Sequence, residues 1–320
     1  MKKIKLKYIF VVVCVLFIAT IGIYKSDMFA SKHDNWLIKE VKIDINEFDG
    51  SLAIVPKWNE MSISQQFNEV EYNNSKYSSR VTVISYEKIL KNIGNAILSG
   101  HDTYTETTYN KKADLYSIKT ISEKCAIAVK FEEDSKYYVY VNPYYRPETL
   151  GDFMESLSLK ENTSFGTVYY NYLDEDSQEN IKVEFYNVDN EIIWQKLFSN
   201  LNLENIYSDN ETGKYTSEKL TQSISISVNI PILGYKNISV TLTDKGYLLT
   251  NILDTGKGFY IGQDKVQDFL NYIKENYDGY KIVYIYENSK EITNKEDKIM
   301  MTENTAKGYI TKEVNTEQIR

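Results

Sequence analysis

Two kinds of hydrophobic pattern run along this chain of 320 residues. The first is one unbroken block. Tyr8 to Tyr24 holds seventeen residues without a charge, bounded by Lys7 and Lys25. As a helix it is roughly 25 Å long, the lower end of what spans a bilayer, and it has no polar face. Lys2, Lys3, Lys5 and Lys7 precede it, whereas Lys25 alone follows before Asp27. The positive-inside rule then keeps the N-terminus in the cytoplasm and sends the rest outside. The pattern predicts a cytoplasmic tail at 1–7, a transmembrane anchor at 8–24 and a polar tether at 25–35. The localisation it implies is the cytoplasmic membrane, single-pass, with the C-terminus out. The alternative is a cleaved signal peptide and a secreted protein. Such a peptide has an apolar region of about 7–15 residues and a small-x-small cleavage site. Met28 spoils that site before Ala30, and Thr20-Ile21-Gly22 lies inside the apolar run.

The second pattern is a succession of short periodic segments, and it repeats. Trp36 to Ile45 alternates as a strand. Val81–Ser85 reads as a strand and Glu87–Leu98 as a helix, with Ile89, Leu90, Ile93 and Ile97 as its stripe. A polar loop, 99–112, leads to strands at Leu115–Ile121, Cys125–Phe131 and Tyr137–Val141. A helix opened by Pro147 carries Leu150, Phe153, Met154 and Leu157, and Phe165–Tyr172 is a closing strand. The second copy begins with a strand at Ile181–Phe185 and a helix at Glu191–Leu201, its stripe Ile193, Trp194, Leu197 and Leu201. These lie 104 positions after the first stripe. Strands follow at Ser223–Ile230, Ile238–Thr243 and Tyr247–Leu253. A helix capped by Asp264 carries Val266, Phe269, Leu270 and Ile273, 116 positions after Leu150, Phe153, Met154 and Leu157. A strand at Tyr280–Tyr286 ends the copy.

Shared order and period predict two similar antiparallel-sheet-plus-helix units in tandem. The expected fold class is α+β, with an N-terminal single transmembrane helix. The first α+β domain covers 36–172 and the second 173–287, and a polar, mostly disordered tail covers 288–320.

Charge narrows the partners. Removing the five lysines up to Lys25 from 37 basic residues leaves 32 against 45 acidic ones. That balance argues against nucleic acid and against an electrostatic grip on anionic polymers. Of two cysteines, Cys14 lies in the apolar block and Cys125 in an apolar strand, so no disulfide is expected between them. There are 28 tyrosines but three arginines, Arg80, Arg146 and Arg320. This is the mark of AT-rich codons, and it weakens any argument from tyrosine number alone.

Candidate chemistry is sparse. Asn251-Ile252-Leu253-Asp254-Thr255-Gly256 resembles the catalytic signature of aspartic proteases, which pair two carboxylates. Lys257 follows where that family has a small residue, and the other copy has no Asp-Thr-Gly, so the segment reads as a turn. Gly256-Lys257-Gly258 with Gly262 misses both the dinucleotide and the P-loop spacing. Ser85-Tyr86-Glu87-Lys88 has the S-x-x-K spacing of penicillin-binding enzymes without K-T-G. His101 and Asp102 sit in the predicted polar loop with no nucleophile elbow. The acidic run 174–180 lacks the glycine of a calcium loop. No catalytic residue, metal ligand or cofactor is assigned from these motifs.

The remaining candidate is an aromatic strip, Tyr138, Tyr140, Tyr144 and Tyr145 with Arg146, suited to stacking on sugar rings or peptide. The sequence therefore predicts a membrane-anchored extracytoplasmic binding or regulatory protein of a bacterial cell envelope, leaning against an enzyme. Its expected partners are another envelope protein, a peptide or a glycan, together with the bilayer through 8–24. The alternative is an envelope hydrolase built from sequence-distant residues.

Overall fold

The computed structural model describes residues 36–44, 56–174, 177–206 and 220–287. Strands make up 50% of the structure and helices 21%, which overturns the α+β expectation in favour of a mainly β architecture. The elements are β1 (Leu37–Asp44), α1 (Ile63–Gln66), β2 (Glu69–Tyr72), β3 (Ser75–Ile84), β4 (Ile89–Asp102), β5 (Thr107–Ile118), β6 (Ala126–Phe131), β7 (Tyr137–Val141), α2 (Leu150–Ser156), α3 (Leu159–Asn162), β8 (Ser164–Asp174), β9 (Glu179–Phe185), α4 (Asn190–Leu197), β10 (Gln222–Ile230), β11 (Tyr235–Thr243), β12 (Tyr247–Thr250), β13 (Lys257–Tyr260), α5 (Gln263–Asn276) and β14 (Gly279–Glu287). One sheet has the order β2-β3-β7-β6-β5-β4 and curls into a near-closed barrel. The other has the order β1-β14-β9-β8-β10-β11-β12-β13.

Chain contacts define two compact units. Of the described residues, one comprises Trp36–Ile38 and those within Pro56–Ile282, and contains nearly all of both sheets. The other comprises the strand residues at 39–44 and 283–287. The division at 172/173 falls inside β8, whereas the change of sheet falls between β7 and β8.

The first copy's helix at 87–98 is absent. A single 3-10 turn at Tyr86–Lys88 runs straight into β4, which pairs with β5 as a long hairpin. The predicted loop 99–112 is largely this hairpin, turned by Asp102, whose carboxylate accepts from Tyr104 N at 2.9 Å and Thr105 Oγ1 at 2.8 Å. The reason is in the residues. Ile89, Ile93 and Ile97 are four apart, a spacing that suits one helix face and, being even, one strand face as well. Asn92, Gly94 and Asn95 are weak helix formers, and the register shifts at Asn92 and Gly94 break the strand alternation between them. The second copy keeps its helix, so the tandem likeness is not a repeat of one unit.

Both faces of β6 and β7 are buried. Ile127, Val129 and Phe131 with Tyr138 and Tyr140 fill the barrel beside Phe67, Tyr77 and Leu98. Ala126, Ala128, Val139 and Val141 point the other way, into a core with Phe153, Phe185, Ile226, Leu242 and Phe269. Double burial explains the apolar run Cys125–Val129 that leads into β6. It also removes Tyr138 and Tyr140 from any exposed strip: they are 5% and 0% accessible. Tyr140 Oη instead donates to Phe67 O at 2.5 Å.

The barrel closes where α1 and the Trp58 turn meet β4. Trp58 stacks on Tyr109 at 5.1 Å, and the backbone of Gln66 lies against Gly100. A Cβ on Gly100 would collide with Gln66 O and stand 2.6 Å from the Trp58 ring. Gly100→Ala is expected to destabilise the protein by about 1–3 kcal/mol, as overpacking does; a denaturation midpoint unchanged from wild type would refute the close packing.

The single-pass expectation is corrected too. Among the described residues no helix is long and apolar enough to cross a membrane, and the block Tyr8–Tyr24 lies outside them. The longest described helix, α5, has 14 residues. It buries Val266, Phe269, Leu270 and Ile273 on one face and is polar on the other, as a sheet-covering helix should be. The transmembrane placement and the orientation drawn from it are withdrawn. The tether 25–35 and the tail 288–320 also lie outside the described residues.

Candidate functional site

Four turns and one helix end converge on a groove of about 1150 Å³. The first is the β2–β3 hairpin. Asn73 and Asn74 take its two left-handed positions, at φ 47° and 57°, the conformation Asn tolerates best after Gly. The flanking Tyr72 and Tyr77 face the groove. Their hydroxyls donate to Glu123, Tyr72 Oη to the carboxylate at 3.1 Å and Tyr77 Oη to the carbonyl at 2.7 Å. Glu123 belongs to the second turn, between β5 and β6, and Lys91 at the start of β4 stands 3.7 Å from its carboxylate. Burial pushes the Tyr77 phenol up to about 12.

Asn142 fixes the segment after β7. Its amide donates to Cys125 O at 2.8 Å and its side chain to Lys124 O at 2.9 Å, while its Oδ1 accepts from Tyr144 N at 2.9 Å. Asn142 is itself buried, so this Asx turn is a rigid base. It presents Tyr144 to solvent at 66% exposure. Tyr145 turns inward and donates to Ser156 Oγ at 2.9 Å, and burial pushes its phenol up to about 12. Ser156 and Glu155 come from the last turn of α2. That helix starts with a capping box in which Thr149 and Asp152 satisfy each other's amides.

Beneath this floor lies a polar cluster. Cys125 is fully buried, and burial pushes its thiol up to about 12. Lys257 is also fully buried, at 0% exposure. Its Nζ donates to Ile252 O at 2.7 Å, Thr255 O at 2.9 Å and Thr255 Oγ1 at 3.2 Å. Burial brings the amine down to about 7, Arg146 pushes the same way, and Cys125 and Asp254 oppose it. Thr255 Oγ1 donates to Pro143 O at 2.6 Å and accepts from Arg146 Nη1 at 2.8 Å. Leu253 and Asp254 are both left-handed, at φ 63° and 59°, which makes the Asp-Thr-Gly segment a tight turn. Arg80 holds the Asp254 carboxylate at 2.9 and 3.0 Å. The resemblance to a protease signature thus dissolves into a turn whose carboxylate is paired with arginine.

Of the five residues singled out from sequence, Tyr144, Tyr145 and Arg146 line the groove, while Tyr138 and Tyr140 fill the barrel. Tyr72, Tyr77, Glu123 and Asn142 were not singled out. The one local signal available was the Asn142-Pro143 dipeptide, a turn mark ahead of the tyrosines. His101 lies on β4, its Nδ1 3.3 Å from Thr108 Oγ1 and its Nε2 3.4 Å from Glu106. Ser85 precedes the 3-10 turn rather than a helix. In the acidic run, Ser177 Oγ donates to Asp174 at 2.7 Å, and 175–176 lie outside the described residues. Among the described residues no group of three His, Cys, Asp or Glu side chains is placed to hold a metal ion. Comparison with known protein families, curated proteins and solved structures finds no match to this chain.

Proposed function

We propose that the protein is a non-catalytic binding module and that its ligand lies in this groove. The observation that carries the reading is Tyr144, a largely exposed ring on a backbone locked by Asn142. A platform held rigid before binding loses little entropy when it is covered. The surrounding chemistry suits a neutral, hydroxylated ligand. Ser75, Ser117, Ser122 and Thr120 line the groove with Asn73 and Asn142, and Lys91, Lys124 and Arg146 offset Glu123 and Glu155. Aromatic faces with dense hydrogen-bonding groups and little net charge fit a glycan. An extended peptide binds best along an open strand edge, and the walls here are strand ends, turns and a helix end. The reactive groups below the groove, Cys125 and Lys257, are covered by protein.

The test is titration of the full chain with panels of neutral oligosaccharides and of extended peptides, followed by amide chemical shifts of the groove residues. An oligosaccharide is expected to shift Tyr144, Tyr145 and Glu123. Tyr144→Ala is expected to weaken it by about 10-fold or more, as loss of a stacking ring does, with stability within about 0.5 kcal/mol of wild type. Binding confined to peptides would overturn the ligand class. Binding that leaves the groove unshifted would overturn the site, and hydrolysis of a bound oligosaccharide would overturn the non-catalytic reading.

A further inference from the structure

Lys257 has no part in the groove surface, yet it is the one fully buried amine among the described residues, and its hydrogen bonds lead to the groove's rim. The proposed function supplies the groove; the inference concerns its regulation. We propose that Lys257 and Thr255 form a proton-operated latch that sets whether the rim at Pro143–Arg146 is held rigid.

The geometry gives the steps. A protonated amine has three N–H donors, and three acceptors surround Lys257: Ile252 O, Thr255 O and Thr255 Oγ1. Donor and acceptor numbers match. With its oxygen accepting from Lys257 and Arg146, the Thr255 hydroxyl has its own hydrogen for Pro143 O, at 2.6 Å. Loss of a proton to solvent leaves the amine with two N–H donors and a lone pair. The longest of the three bonds, to Thr255 Oγ1, is the one to give up. A hydroxyl can reverse its role. Thr255 then donates its hydrogen to the amine's lone pair, and Pro143 O loses its short bond. Among the described residues, the 3.5 Å contact from Arg146 Nη1 is what remains on that carbonyl. The rim is tight when Lys257 is charged and loose when it is neutral.

The charged and titratable groups around the amine come from three directions. Arg146 stands on the rim, Cys125 on the strand side before β6, and Asp254 in the same turn, held by Arg80. Behind Cys125 lie Tyr145 and Lys124. The Phe153 ring of α2 faces the amine at 5.9 Å. Burial and Arg146 favour the neutral amine, and the balance of the groups brings its change of charge to about pH 7.

The experiment needs no ligand. Amide shifts and exchange protection of Tyr144, Tyr145 and Arg146 are followed in the full chain from pH 5.5 to 8.5, with exchange corrected for its intrinsic pH dependence. The expected result is a single transition near pH 7, with lower protection on the alkaline side. Lys257→Met should abolish it. Thr255→Val keeps the lysine but removes the hydroxyl, and should leave the rim flat while the Lys257 side-chain nitrogen still titrates. That second variant decides the matter if Lys257→Met does not fold. Rim signals that stay flat in the wild type, or the same transition persisting in Thr255→Val, overturn the latch. Either result leaves the groove's ligand reading intact, since no ligand enters the measurement.

Discussion

Raising the pH from 7 to 9 is expected to stabilise the folded protein by about 2–3 kcal/mol, and Lys257→Met is expected to remove that gain. The sign follows from where protons sit. The ordinary lysine value is 10.5, and in the folded protein burial brings Lys257 down to about 7. Between those values the unfolded chain holds a proton that the folded chain has released. Unfolding free energy therefore rises with pH through this window. Below about 7 both states are protonated, the burial penalty is fully present, and the curve is flat from this group. Cys125 acts in the opposite sense. Its thiol is raised from 9.0 to about 12, so above pH 9 the unfolded chain gives up a proton that the folded chain keeps. The two slopes cancel between 9 and about 10, and stability falls beyond that as the buried tyrosines, raised from 10.0, join. Urea unfolding across this range, in wild type, Lys257→Met and Cys125→Ala, reads the three limbs separately. A wild-type curve level between pH 7 and 9 would rule out the depressed lysine.

Leu98→Ala costs about 2–5 kcal/mol, the range for emptying a packed leucine site, whereas Ile97→Ala stays within about 0.5 kcal/mol. The pair distinguishes strand from helix at one place in the chain. On the helix read from sequence, Ile97 completes the buried stripe with Ile89 and Ile93. On β4, Leu98 points into the barrel at 1% exposure and Ile97 lies outside at 68%. Leu98 touches the barrel core with Phe67, Phe131 and Tyr140, so its loss leaves a cavity that the closed sheet has little freedom to fill. Equal losses for the two variants, or a larger one for Ile97→Ala, would reject the barrel.

Much of the candidate site was invisible along the chain because its parts are far apart in it. The link between Tyr72 and Glu123 spans 51 positions, and that between Arg146 and Thr255 spans 109. Tyr144, Tyr145 and Arg146 were legible since they follow a turn dipeptide as a local cluster. Tyr138 and Tyr140 share that cluster's composition but not its place. Alternation along β7 puts them on one face, as read, and both faces proved to be interior. Lys257 reads as part of a turn along the chain, whereas the structure makes it the first residue of β13, just past the turn. Its burial and its reach to Pro143 depend on β7 lying near the β12–β13 turn, which no local pattern encodes.

What the sequence determined alone are the elements whose period admits one answer. β8, β10 and α5 lie where apolar alternation or a four-residue stripe places them, because burial of one face stabilises only one backbone period. Tertiary structure decided the rest. It made 89–98 a strand, since isoleucines four apart satisfy either period until β5 supplies hydrogen bonds along the edge. It curled six strands into a barrel through contacts such as Gly100 on Gln66, a matter of close approach that periodicity does not carry. It also drew Lys257 out of water and onto three oxygens, and burial rather than residue type brings that amine's change of charge down to about pH 7.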